Sequence, residues 1–528
     1  MMTHSLPSVP LTQTIREMPI PVIDIFAGPG GLGEGFSGIR EGKENLFKIR
    51  LSIEMDPVAH QTLLLRSFYR QFDPANVPTS YYNYLRGTAT RDELQVKFPE
   101  QFGAAREEAW QATLGETDPE EVSGRISSAL GRDKDNWLLI GGPPCQAYSL
   151  VGRSRIIGKI GRTEYEKDHR HFLYREYLRI IAKHQPTVFV MENVKGLLSA
   201  NVGGQAMFPL IQKDLEDPLR VFPELKDQSR RKNLHYTLYS VVVKRDLSGG
   251  LDPADFIVRS EEYGIPQARH RIIILGIRGD AKPEPAKLTT KPMVSVKEVI
   301  GDLPQLRSRL STDDDAESWA AAVEAISKIR LPANSAQTGA LGSGIVRYLA
   351  RLKSNLPQGG RFVSCKPGPA QLSSWFVDPR LDGVCNHETR GHIAEDLRRY
   401  FFAAVFAATS DSLRSPLLQE FPPELLPAHK NVGEALKTTK FNDRFRVQVA
   451  SRPSTTVVSH ISKDGHYYIH YDPAQCRSLT VREAARLQTF PDNYFFEGPR
   501  TQQYHQVGNA VPPLLARKIA KIVRELFP

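Results

Sequence analysis

At 528 residues, 40% hydrophobic and 24% charged, the chain is too long for one core and too apolar to be disordered, so two globular domains are expected. No apolar run reaches bilayer length, residues 1–21 lack the basic start and apolar stretch of a secretory signal, and four scattered cysteines (Cys145, Cys365, Cys385, Cys476) fit a reducing cytoplasm rather than a disulfide framework. The formal charge of +10 suits a polyanionic partner through counterion release, but a merely basic soluble enzyme would carry the same balance.

Residues 22–26, 138–140 and 188–191 each read as a short buried strand with Gly or Pro nearby. Residues 171–183 place Leu173, Tyr177, Ile180 and Ile181 on one helical face. Strands alternating with helices imply an α/β fold, a parallel sheet covered on both sides. Polar clusters fall at the strand ends: Gly28, Gly30 and Gly31 after the first run, Pro143, Pro144 and Cys145 after the second, Glu192 and Asn193 after the third. Ligands sit beyond the carboxyl ends of strands in such sheets, so the three clusters should converge on one cleft. A fourth run, 272–275, carries its polar cluster (Gln267, Arg269, Arg271) in front of it, which implies an antiparallel strand whose leading end reaches the same edge. The segment 70–135 exceeds a simple strand–helix link and is expected to hold an extra helical excursion. From 281 the texture changes to Pro-rich stretches, an acidic helix-like segment at 313–328 and loops such as 357–368. Regular signals return at 476–490, and a helix is expected over 514–526. The division expected is a first domain over 1–280, an inserted second domain over 281–475, and a segment, 476–528, that returns to the first.

The run Asp24-Ile25-Phe26-Ala27-Gly28-Pro29-Gly30-Gly31 is a strand followed by a glycine-rich turn, whose glycines allow close backbone approach and positive φ. Ser52-Ile53-Glu54-Met55-Asp56 falls at the next strand end, where an acid can accept hydrogen bonds from ribose hydroxyls. These two features alone fit a nicotinamide dehydrogenase almost as well as a methyltransferase, and a tight structural turn as well. Gly141-Gly142-Pro143-Pro144-Cys145-Gln146 is sharper, because two prolines stiffen a turn that aims the thiol at the cleft. For Cys365, Cys385 and Cys476 the ordinary role of a small buried hydrophobe is expected. Glu192 in Met191-Glu192-Asn193-Val194 puts a carboxyl group at a buried strand end, where desolvation favours its protonated form and proton donation to a ring nitrogen, or where it caps a helix. Arg269 and Arg271 stand at alternate positions of a strand and could hold a phosphate, a base oxygen or a surface ion pair. His387 and His392 beside Cys385 lack a paired CxxC and are read as ordinary loop histidines, with no metal expected.

In this order the blocks resemble the DNA (cytosine-5) methyltransferase family. Residues 168–181 resemble its motif after the nucleophile loop, Arg482-Glu483-Ala484-Ala485-Arg486-Leu487-Gln488 its ninth motif, and Gly508-Asn509-Ala510-Val511-Pro512-Pro513 its tenth. The resemblance covers roughly residues 20–60, 136–200, 255–278 and 476–525. It implies a Rossmann-like sheet that binds S-adenosylmethionine, with 281–475 as a target recognition domain in which Arg452-Pro453-Ser454-Thr455-Thr456-Val457 loosely matches the recognition signature. By resemblance, Cys145 attacks cytosine C6, Glu192 supports N3, Arg271 binds O2, and Arg269 and Gln146 assist; C5 is too weak a nucleophile without this covalent step. The cofactor set implied is Asp24, Phe26, Ala27, Gly28, Gly30, Gly31, Glu54, Asp56, Pro143, Asn509 and Ala510, with Ser149 as a phosphate contact. The Asp that this family carries near its third strand, against the adenine, has no counterpart identified between residues 70 and 135.

The target base must leave the stack of duplex DNA, which the inserted domain would support through phosphate and major-groove contacts. The resemblance further implies a prokaryotic cytoplasmic enzyme, acting as a monomer on DNA, with a restriction or defence protein as a possible companion. Rivals are an RNA cytosine-5 methyltransferase of the same fold, a non-catalytic DNA-binding relative, and a nicotinamide-linked oxidoreductase. The last leaves the proline–cysteine turn, Glu192 and the paired arginines without work.

Overall fold

The computed structural model describes residues 18–144, 173–202, 205–227, 229–245, 250–281, 284–331, 336–366, 371–411, 413–428, 430–438 and 442–527. Its centre is an eight-stranded sheet. The strands are β1 (Ile20–Ile25), β2 (Phe47–Glu54), β3 (Ala109–Gln111), β4 (Leu138–Gly141), β5 (Val188–Val194), β6 (Tyr236–Tyr239), β7 (Ile257–Arg259) and β8 (His270–Arg278). Their order is β6-β8-β5-β4-β1-β2-β3, with β7 pairing β8 off that path. β3, β2, β1, β4 and β5 run parallel, and β8 is antiparallel to β5. The expected reversal of the 272–275 strand is therefore present, with Arg271 opposite Val194 and Ile273 opposite Glu192.

Alternation of side chains across the sheet divides the core in two. Ile23, Ile25, Leu139, Phe189, Met191, Ile272 and Ile274 lie in one apolar cluster. Helices α3 (Pro119–Leu130) and α4 (Leu173–His184) cover them with Val122, Ile126, Tyr177 and Ile181. Val22, Leu138, Ile140, Val188, Val190, Ile273 and Leu275 face the other way, packed with Leu32 and Phe36 of α1 (Gly31–Ser37) and beneath Leu515, Ile519 and Val523 of the last helix, α8 (Pro513–Arg524). Strands buried on both faces read as unbroken apolar runs, which is why β1, β4 and β5 stood out in the sequence. Gly276 in β8 is required by packing, since a Cβ there would lie 2.1 Å from the Phe189 ring.

The 70–135 excursion is helical as expected. Helix α2 (Pro57–Arg70) is followed by Thr79–Arg86, Arg91–Lys97 and Pro99–Glu108, and only then by β3. Leu63, Phe68, Tyr81, Tyr82, Leu85 and Phe102 form one cluster there with Leu381 and Cys385 from the later part of the chain.

Beyond residue 281, helix α5 (Ala394–Thr409) buries Tyr400, Phe401, Phe402 and Val405 against Trp319, Phe421, Phe445 and Cys476. A further cluster joins Val296, Val299, Val457 and Ile461 to Leu487, Phe490, Val507 and Ala510. That cluster brings in helices α6 (Val481–Leu487) and α7 (Arg500–Asn509). The apolar core thus continues across residue 475, where the sequence texture changed.

Candidate active site

Because β4, β1 and β2 are neighbours, and β5 lies beside β4, the polar clusters that follow them stand side by side at one sheet edge. The turn after β1 is held in left-handed backbone: Phe26 has φ 55°, Gly28 58° and Gly30 96°. A non-glycine residue there is costly and persists only where its surroundings enforce it. The enforcement is visible. Glu54 at the end of β2 accepts from the Gly28 N–H at 2.7 Å on one oxygen and from the Asp56 N–H at 2.8 Å on the other. Burial raises the Glu54 pKa, and those two amides oppose the rise. Tyr494 donates its hydroxyl proton to the Pro29 carbonyl. A Cβ on Gly31 would stand 2.3 Å from the Val511 carbonyl oxygen, so the turn is pressed directly against the segment that follows α7. A Cβ on Gly28 would meet no atom of the described residues within 4 Å.

Pro143 is buried and accepts from the Asn193 side chain at 3.2 Å, which fixes the turn after β4 against the end of β5. Gly142 lies so close to Glu192 that a Cβ would fall 2.9 Å from its Oε2. Across the sheet, Arg271 Nε reaches Glu192 Oε1 at 3.0 Å, with the two side chains 13% and 12% exposed. The carboxyl group is therefore paired rather than isolated at its strand end. Burial lowers the Arg271 pKa, and Glu192 partly restores it. Cys145, Gln146 and Ser149, with 168–172 of the block before α4, lie outside the described residues. Pro144, immediately before the cysteine, is the last described residue of that turn.

Arg269 and Arg271 do not share one environment. Arg269 falls at the break between two ladders: Gln267–Ala268 pairs with Ser454–Thr455, and His270 begins β8. Its guanidinium is 2% exposed and donates to the Val457 carbonyl at 2.8 Å and the Gly508 carbonyl at 3.5 Å. Its Nε–H meets no acceptor among the described residues. Burial first, then Arg271, depress its pKa. Arg269 thus ties the Ser454–Val457 segment to the end of α7, and only Arg271 reaches Glu192.

Other expected cofactor residues divide similarly. Asp24 is fully buried; burial raises its pKa to about 8, and the nearby Gly33 N–H offsets this without reaching hydrogen-bond geometry. Asp56 caps α2, accepting from Val58 N at 2.9 Å and Ala59 N at 2.7 Å. Ala27 and Ala510 are buried, whereas Asn509 is exposed, with its Nδ2 3.4 Å from His505 Nδ1. Two further positions stand at the same edge. Met55, next to Glu54, is 57% exposed, and exposed Gln111 ends β3 as the register partner of Glu54. β3 is only three residues long, too short for an apolar run to mark its end.

Of the remaining cysteines, Cys385 and Cys476 are buried and Cys365 is half-buried. Burial pushes the Cys385 thiol up to about 12 and Cys365 to about 11, and the Cys476 thiol donates to the Leu397 carbonyl at 3.0 Å. His387 has both ring nitrogens engaged, with Thr480 Oγ1 and the Pro304 carbonyl each at 2.9 Å. His392 meets Ser478 Oγ at 3.2 Å. Among the described residues no helix is long and apolar enough to cross a membrane.

The family described as C-5 cytosine-specific DNA methylase matches residues 115–218 and 255–525. The Type II methyltransferase M.Bpa9945I of Bacillus paralicheniformis is 34% identical over 96% of this chain and 99% of its own length. The DNA (cytosine-5-)-methyltransferase M.ApeKI of Aeropyrum pernix is 26% identical over 96% and 98%, and the Type II methyltransferase M.AgeI of Thalassovita gelatinovora 24% over 95% and 98%. Neither an RNA-specific enzyme nor an oxidoreductase is favoured by this set. With its sheet, its strand-end clusters and a match spanning most of its length, the chain belongs to the C-5 cytosine-specific DNA methylase family.

Proposed function

We propose that in this DNA cytosine-5 methyltransferase Cys145, Glu192 and Arg271 act on a cytosine extruded from duplex DNA, beside S-adenosylmethionine held by the turn after β1. The observation that carries the reading is the 3.0 Å pair between Arg271 and Glu192, against which the Gly142-Pro143-Pro144 turn leading to Cys145 is packed.

The residues present fit the donor. Left-handed backbone at Phe26, Gly28 and Gly30, a Gly28 position clear of the described residues within 4 Å, and a buried carboxylate at the end of the adjoining strand would form a cradle. Glu54 would take the ribose hydroxyls, Phe26 and Met55 would flank the adenine, and Gln111 would stand where the family's third-strand Asp is expected. Asp24, Asp56 and Gly31 would shape the cradle from beneath rather than touch the ligand. Pro143 and Ala510 would line it, with Asn509 on its far side. When bound, S-adenosylmethionine supplies the electrophilic methyl group that cytosine C5 accepts.

On the protein side, the Cys145 thiolate adds to C6 and the ring electrons move toward N3 and C5. Glu192 holds or delivers the proton at N3, and Arg271 holds O2 while orienting Glu192. After C5 has been alkylated, loss of its proton returns the electron pair to the ring and expels the thiolate. Gln146 would steady the turn and Ser149 a phosphate; Arg269, bonded to the Val457 and Gly508 carbonyls, would support the pocket from behind.

Residues 281–475 would form the target recognition domain, which would offset the cost of extrusion, a few kcal/mol, through contacts to phosphates and base edges. The relatives named Type II methyltransferases support a bacterial methyltransferase; it would recognise a specific sequence, act in a prokaryotic cytoplasm beside a restriction or defence protein, and work on DNA as a monomer. The test is transfer of labelled methyl groups to duplex DNA, with bisulfite sequencing to find the site. Cys145→Ser is expected to abolish transfer, and undiminished transfer would show that another group attacks C6.

A further inference from the structure

We infer that Gln267 is a positioning residue, whose carboxamide couples the seating of the Ser454–Val457 segment to the Glu192–Arg271 pair and to the wall of the donor cradle. The inference rests on the proposed role of that pair.

Gln267 is fully buried, and its amide is used in both directions. Its Oε1 accepts from Val457 N at 2.9 Å. Its Nε2 donates to the Leu487 carbonyl and to Gln488 Oε1, each at 3.1 Å. Turning the amide over would set its oxygen against two acceptors and its NH2 against a donor, so one orientation alone satisfies the site. Gln488 continues the series, donating from Nε2 to the Val507 carbonyl at 2.8 Å and the Ala510 carbonyl at 3.3 Å.

Proton donation therefore runs one way, from the Val457 amide through Gln267 and Gln488 to the carbonyls of residues 507 and 510. Bonds aligned head to tail polarise one another. The two ends matter to the chemistry. At one end, Gln267–Ala268 forms a parallel ladder with Ser454–Thr455, and Thr456 Oγ1 donates to the Ala268 carbonyl at 2.6 Å. Three residues on, Arg271 meets Glu192. At the other end, Ala510 and Val511 press on Gly31 of the donor turn. A shift of the 454–457 segment cannot leave Gln267 satisfied unless residues 487–488 move with it, and Gln488 carries that movement to the carbonyls of residues 507 and 510. Displacement of reacting groups by about 1 Å can cost a hundredfold in rate.

The test compares Gln267→Ala, Gln267→Asn and Glu192→Gln in the full chain. For each, kcat for methyl transfer, KM for DNA and calorimetric binding of S-adenosylhomocysteine would be measured. Gln267→Ala is expected to lower kcat about tenfold to a hundredfold, with KM for DNA and S-adenosylhomocysteine affinity within about threefold of the parent, an unresolved change on the free-energy scale. Gln267→Asn, which keeps the amide one methylene short, is expected to recover part of kcat. Equal loss of all three quantities, or unchanged kcat, would overturn the inference. Full activity in Glu192→Gln would instead refute the catalytic reading, whatever the Gln267 variants do. Should Gln267→Ala prove insoluble, Gln488→Ala interrupts the same series and is held to the same expectations.

Discussion

Asp24 sits in the strand that opens the donor turn, and its carboxyl group is wholly out of contact with water. Burial drives its pKa from 3.8 to about 8, with Arg70 opposing and Glu54 and Glu108 adding to the rise. Between those two pH values the folded protein holds a proton that the unfolded chain releases, so stability falls as pH rises through that window and levels off above about 8. The neutral isostere Asp24→Asn removes this term. Thermal melts from pH 5 to 9, a range set about the shift, are expected to show a falling midpoint for the parent and a flatter profile for the variant. A parallel pair of profiles would mean that Asp24 is ionised in the fold. The family resemblance put Asp24, Glu54 and Asp56 in one cofactor set, and the strand-end argument reached Glu54 alone. Chain position could not separate a carboxylate that braces the Gly28 turn from one fully buried in β1 or one that caps α2.

At the scale of elements, two glycines at strand ends make different demands. A methyl group on Gly31 would strike the Val511 backbone carbonyl, which cannot swing away, whereas one on Gly142 would strike only the outer oxygen of the Glu192 side chain. Gly31→Ala is accordingly expected to lower stability by about 1–3 kcal/mol, the usual range for overpacking, and to weaken S-adenosylhomocysteine binding. Gly142→Ala is expected to leave the melting midpoint nearly unchanged while cutting kcat at least about tenfold, because Glu192 must yield its place beside Arg271. Equal effects of the two on stability would refute the distinction. β1, β4, β5 and β8 were legible as apolar runs, and the reversal of β8 followed from the position of its polar cluster. β3 was not, because Ala109-Trp110-Gln111 carries no run and its pairing with Ser52–Glu54 is decided by α2 and the three helices after it.

In the whole molecule, the arginines of α6 do work that their motif did not disclose. Arg482 donates to the Cys385, Pro491 and Tyr494 carbonyls, and Arg477, four residues ahead of the helix, pairs with Glu483 of α6 at 2.6 Å. Arg486 reaches Asp492 on one side, at 2.7 Å, and Asp302 and the Val299 carbonyl on the other, at 2.6 and 2.9 Å. Two of the Arg486 partners, Val299 and Asp302, lie 187 and 184 positions away in the chain, so local spacing could mark the block but not what it binds. With the 457–461 and 296–299 segments packed on residues 487–510, the inserted part and the returning part share one interior. Arg486 is the charged joint of that interior. Its removal leaves the Asp302 carboxylate without this cation and Asp492 with the more distant Arg482, at 4.0 Å, a loss that typically costs about 3–5 kcal/mol. If the two parts are energetically one, Arg486→Ala should lower a single unfolding transition monitored by calorimetry, and limited proteolysis should open sites before residue 303 and after residue 476 together. If instead the catalytic sheet keeps its parental transition while only the inserted part melts early, the shared interior does not couple them, and recognition and chemistry belong to separately folding units.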